Sequence, residues 1–132
     1  MRAAAAGAIT AAVLLAPGCG GGERSAAKDE DEPVRRAAFR SLAARDFLLT
    51  CPAGAGRGET AYHARRFDEL KRLAARKGAG NAVWLGENDW AGVSRYDERE
   101  GCATGDEAYS QALAAYSASL DRLAGAIAEH RP

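Results

Sequence analysis

An all-α fold, a small bundle of three helices with a long irregular segment between the second and third, is what this sequence predicts. Three observations carry the prediction. Near the C-terminus Tyr109, Leu113, Tyr116, Leu120, Leu123 and Ile127 recur at steps of 4, 3, 4, 3 and 4 residues, which keeps them on one stripe of an α-helix. Two further apolar faces of helical period lie upstream, over residues 33–50 and 59–77. Between these stretches the chain is punctuated by Pro and Gly, residues that end helices.

A chain of 132 residues, 47% hydrophobic, is enough for one domain. Roughly a quarter of it is alanine, however, and each alanine buries little area. The core is therefore thin and leans on a few large side chains. Charge balances at 18 basic against 18 acidic residues with no basic block, which gives no electrostatic reason to expect nucleic acid or an anionic membrane surface as partner.

The first residues have the layout of an export signal. Arg2 is a minimal positive region, Ala3 to Ala16 a short apolar run, too short to span a bilayer as a permanent helix. The residues that follow, Leu14-Leu15-Ala16-Pro17-Gly18-Cys19 and then three glycines, resemble the lipobox of bacterial lipoproteins. The resemblance covers this leader alone. It implies that residues 1–18 are a signal peptide cut before Cys19, that the Cys19 thiol carries a diacylglycerol anchor, and that the chain faces the periplasm from a membrane, the outer one if the source is Gram-negative. Loss of Arg2 with the leader leaves the mature chain with a net charge near −1.

Export also changes what the remaining cysteines mean. With Cys19 occupied by lipid, Cys51 and Cys102 are the only pair left in an oxidising compartment, so one disulfide is expected. Closing a loop of about 50 residues, it stabilises by roughly 4 kcal/mol in the chain-entropy model.

Residues 20–32 are polar and glycine-rich at their start and read as a flexible tether. The helical domain then spans residues 33–132. Pro33 suits a first helical position, with the acids Asp29 to Glu32 before it, and Val34, Ala38, Leu42 and Leu49, flanked by Phe39 and Ala43, form the apolar face of the first helix. Cys51-Pro52 ends it. The glycine-rich run Pro52 to Gly58 is a connector; without a preceding strand or a Lys-Ser/Thr pair it lacks the context of a phosphate loop.

The second helix, 59–77, gathers Tyr62, Phe67, Leu70, Leu73 and Ala74 on one face and is stopped by Gly78-Ala79-Gly80. In residues 81–101 three glycines, Gly86, Gly92 and Gly101, interrupt a poor periodicity, so a long loop with short helical turns is expected, a small hairpin being the alternative. This segment holds Trp84, Trp90, Arg95 and Tyr96, the candidate binding residues. Of the two indoles Trp90 is the one expected at the surface, since Asn88 and Asp89 precede it while Trp84 sits between Val83 and Leu85. The third helix, 105–130, opens on Thr104 and Glu107, spaced as a capping box, and Ser119 is expected on its solvent side.

Function is less legible. The chain has no nucleophile elbow, no zinc-type cysteine and histidine spacing, no dinucleotide glycine fingerprint and no haem-attachment motif. No catalytic residue, metal site or cofactor is assigned. The expectation is a lipid-anchored envelope protein acting by binding or scaffolding, its partners the membrane, through the lipid, and an envelope protein or cell-wall component, with no nucleic acid. Two alternatives stand beside it: a small envelope hydrolase using His63 with Glu87 or Asp89, and a soluble periplasmic ligand-binding protein.

Overall fold

Every regular element among the described residues of a computed structural model of this chain is helical; residues 19–54, 58–94 and 101–131 are described, with side chains from Glu30 onward. Among the described residues four α-helices stand where the sequence predicts three: α1 (Cys19–Leu49), α2 (Gly58–Arg76), α3 (Gly80–Ser94) and α4 (Asp106–Glu129), with a 3-10 turn at Pro52–Gly54 after α1. The chain divides into two compact units, Met1–Glu30 and Asp31–Pro132, and the described core residues all belong to the second. The fold is all-α, a helical bundle closed by the Cys51–Cys102 disulfide, whose Cα atoms lie 4.7 Å apart.

The first helix begins at Cys19 rather than at Pro33, which lies inside it. Ala26, Ala27, Lys28 and Glu30 are good helix formers, while Gly20 to Gly22 and Pro33, poor ones, stand within the helix all the same. Its inner face carries Val34, Ala37, Ala38, Ser41, Leu42 and Leu48. Leu49, expected inside, is 62% exposed at the last residue of the helix, where the chain tightens into i+3 hydrogen bonds from Thr50 and Cys51, and Leu48 is buried in its place.

α1 and α4 run antiparallel. Asp31 Oδ1 lies 2.9 Å from His130 Nε2 at one end, the Ser41 hydroxyl bonds the Ser119 carbonyl midway at 3.3 Å, and the disulfide joins the other end. α2 runs parallel to α4: Tyr109 Oη donates to Glu59 Oε1 at 3.0 Å, Arg66 pairs with Asp121, and Lys77 Nζ reaches the Ala128 carbonyl at 3.3 Å.

α2 and α3 form a hairpin. The turn has the double hydrogen bond of a Schellman motif, Ala79 N–H to the Ala74 carbonyl at 2.7 Å and Gly78 N–H to the Ala75 carbonyl at 3.3 Å. Gly78 has φ of 80°, the left-handed conformation this cap requires.

α3 replaces most of the irregular segment expected over 81–101. Its glycine at position 86 serves a contact rather than a break. A Cβ there would stand 2.4 Å from the Arg35 carbonyl oxygen and 2.9 Å from Ala38 Cβ, so α3 crosses α1 with almost no space between the two backbones. Ala82, Val83 and Trp90 complete the buried side of α3.

On α4 the apolar stripe is present, with Tyr109, Tyr116, Leu120, Leu123 and Ile127 buried and Leu113 partly so. Two details differ from expectation. The helix is capped by Gly105 at φ 112° with no side-chain cap bond, and Glu107 instead accepts from Gln111 Nε2 one turn on at 3.2 Å. Ser119 is 5% exposed, not on the solvent side. Its hydroxyl is satisfied by the Tyr116 carbonyl at 2.6 Å, so a small polar residue sits against α1 without an unmet hydrogen bond.

Candidate functional site

The two indoles of α3 have exchanged the roles the sequence suggests. Trp90 is 5% exposed, packed edge-on against Phe39 with ring centroids 5.5 Å apart, and its Nε1–H donates to Asp46 Oδ2 at 2.6 Å. Asp46 is held in turn by the Arg45 guanidinium, at 3.0 and 2.9 Å. Trp84 is 55% exposed. On a helix its neighbours are the residues three before and four after, Asn81 and Asn88, and both face solvent with it. Trp84 is thus a large apolar side chain held outward on a rigid helix between two amide side chains. Arg95 and Tyr96 lie outside the described residues, as do the leader and the Cys19 side chain.

The acids nominated for a hydrolase are each engaged elsewhere. Asp89 takes a two-point contact from Arg35, 2.6 Å from Nε and 2.9 Å from Nη2, and this hydrogen bonding holds its carboxyl below the usual carboxylate range. Glu87 pairs with Lys71 at 2.8 Å, tying α3 to α2. His63 lies with neither. Its ring stands edge-on to Tyr62 at 5.2 Å and to Tyr116 at 5.7 Å, between α2 and α4.

Burial, reinforced by the nearby charge of Arg66, pushes the His63 imidazole below its ordinary value. Both His63 Nδ1 and the Tyr116 hydroxyl are buried without a hydrogen-bond partner. Burial raises the Tyr116 hydroxyl above the ordinary phenol value, so at neutral pH both groups are uncharged. The nearby carboxylates of Asp121 and Glu59 oppose the downward shift of His63 without hydrogen-bonding its Nδ1. His130, placed by its position at the end of the chain, has a side chain only 3% exposed, sealed by Asp31.

Compared with protein-family models, curated proteins and solved structures, the chain matches none. Function must therefore be read from surface and chemistry alone.

Among the described residues no three His, Cys, Asp or Glu side chains gather where a metal ion would sit, and no helix is long and apolar enough to cross a membrane. Open depressions lie on the surface of the described residues. One of about 300 Å³ lies beside the disulfide, over Phe47, Cys102, Ala112 and Ala115; another, of about 290 Å³, is bounded by Tyr62, Arg65, Arg66 and Glu69. A third, ringed by arginines, is a feature that the sequence reading missed, because its cations come from two helices far apart in the chain.

Proposed function

We propose that this chain is a lipid-anchored protein of the cell envelope that works by binding or scaffolding and not by catalysis. The anchor is the diacylglycerol expected on Cys19 by resemblance to the lipobox, and the partner is an envelope protein or a cell-wall component. The observation that carries a binding role is the outward indole of Trp84. Exposed Trp is enriched among the residues that dominate interface energies, and a helix presents it at little cost in ordering. A flanking pair of asparagines adds hydrogen-bonding groups at the rim, an arrangement suited to a peptide or glycan surface more than to a small molecule, which needs enclosure.

The hydrolase alternative draws no support from His63, Glu87 and Asp89, whose contacts are with different partners. Crosslinking in intact cells followed by mass spectrometry of copurifying material tests the proposal in two arms. The wild type takes up a fatty-acid analogue and Cys19→Ser does not; Trp84→Ala keeps its fold and anchor but loses the copurifying partner. Label persisting in Cys19→Ser refutes the anchor, and undiminished recovery with Trp84→Ala refutes the binding face.

A further inference from the structure

Between the start of the packed stretch of α1 and the last turns of α4 runs a groove of about 210 Å³. Pro33, Ala37 and Ala126 give it an apolar floor, and Arg36, Arg40 and Arg122 stand around that floor. Arg36 holds Glu32 at 3.4 Å, a long and exposed pair. Arg40 and Arg122 have no ion pair or hydrogen bond among the described residues. The balance of charge over the whole chain conceals this local excess. Cations brought together on a neutral protein repel one another until an anion joins them, and the planar guanidinium fork matches the oxygens of a phosphate.

The floor narrows the choice of anion. Free phosphate has no apolar part to lay on a proline ring and two alanine methyls, whereas a phospholipid carries its phosphate on glycerol and acyl carbons. The place in the chain agrees: thirteen residues lie between Cys19 and Pro33, so the groove begins no further than about 50 Å from the anchor whatever the conformation of that stretch. We infer that this groove takes the phosphate of an anionic phospholipid headgroup, seating the domain on the bilayer in which Cys19 is anchored. The seating rests on the anchored reading; the headgroup site does not.

The test is a titration of the full chain with short-chain phosphatidylglycerol kept below its micelle concentration, followed by nuclear magnetic resonance of the arginine Nε–H signals. The signals of Arg40 and Arg122 shift and saturate. Arg40→Gln and Arg122→Gln each weaken binding about fivefold, the equivalent of roughly 1 kcal/mol per arginine near a charged bilayer. Arg72→Gln, an exposed arginine on α2 away from the groove, leaves the affinity unchanged, and thermal melts show that all three variants are folded. Inorganic phosphate binding as tightly as the lipid overturns the assignment in favour of a plain anion site. An absence of shifts, or an equal loss in Arg72→Gln, overturns it altogether. Because the titration does not depend on the anchor, its failure removes the groove alone, and an unlabelled Cys19 removes the anchored reading alone.

Discussion

Replacing Gly86 by alanine tests the crossing of α3 over α1 with one methyl group. The added Cβ meets the Arg35 carbonyl oxygen at 2.4 Å, Ala38 Cβ at 2.9 Å and the Phe39 nitrogen at 3.1 Å. An ordinary carbon–oxygen contact is roughly 3.3 Å, so the helices must part by nearly an ångström, and the obstacle is backbone, which no rotamer change can clear. Overpacking of this kind costs about 1 to 3 kcal/mol, here at the upper end; the intrinsic preference of a helix for Ala over Gly returns about 1. The net is a loss of roughly 2 kcal/mol, or a melting temperature lower by about 8 to 16 °C for a domain of this size. Gly92 is the internal control, because a Cβ there meets nothing within 4 Å. Gly92→Ala keeps only the propensity gain and raises stability by up to about 1 kcal/mol. Thermal and urea denaturation of the oxidised protein measures both. If Gly86→Ala stabilises as Gly92→Ala does, α3 does not lie against α1 and the four-helix arrangement is wrong.

Trp90→Ala costs about 3 to 5 kcal/mol in the same denaturation assay, whereas Trp84→Ala stays within about 0.5; equal losses contradict the assigned faces. Reduction of Cys51–Cys102 lowers stability by about 4 kcal/mol, seen as an earlier urea midpoint with reductant, and an unmoved midpoint rejects the bridge as a stabilising element. His63 supplies a pH dependence. Its imidazole is depressed in the folded protein, so stability is full above about pH 6.5, and it falls with pH below that value as the unfolded chain takes up the proton more readily. His63→Gln flattens this limb of a stability-versus-pH series, and an unchanged slope places the titration elsewhere.

The elements legible in the sequence are those whose large apolar residues repeat at helical spacing. The stripe on α4 belongs to this class; the stop of α2 was legible from its glycines, and the pairing of Cys51 with Cys102 from the count of cysteines. α3 was hidden because its buried side is built from Ala82, Val83, Gly86 and Trp90, a helical spacing carried mostly by residues with little hydropathy to register. Its acids looked like a polar loop, yet Glu87 and Asp89 are paired with Lys71 of the preceding helix and Arg35 of the more distant α1. The exchange of the two indoles follows directly. Neighbours along the chain, Val83 and Leu85, argued that Trp84 is inside, but on a helix its true companions are Asn81 and Asn88, while Trp90 stacks above Gly86. Ser119 misled for a related reason, since a hydroxyl that bonds its own helix can be buried at small cost. The arginine groove required the pairing of α1 with α4 before it existed at all.

The tie between α1 and α4 has a consequence for how the molecule comes apart. The disulfide fastens one end of that pair and the Asp31–His130 contact the other, while α2 and α3 hang together within the covalently closed loop between residues 51 and 102. Amide hydrogen exchange in the oxidised protein therefore divides the chain unevenly. The expected outcome is an opening of the α2–α3 hairpin as one unit, its amides exchanging together at a cost below that of global unfolding; uniform exchange across all four helices refutes it. The outer pair, still stapled, keeps its protection through such an excursion along the α1–α4 seam. Cutting the staple merges the two classes of amide into one, because nothing covalent then holds the outer helices together while the hairpin is away.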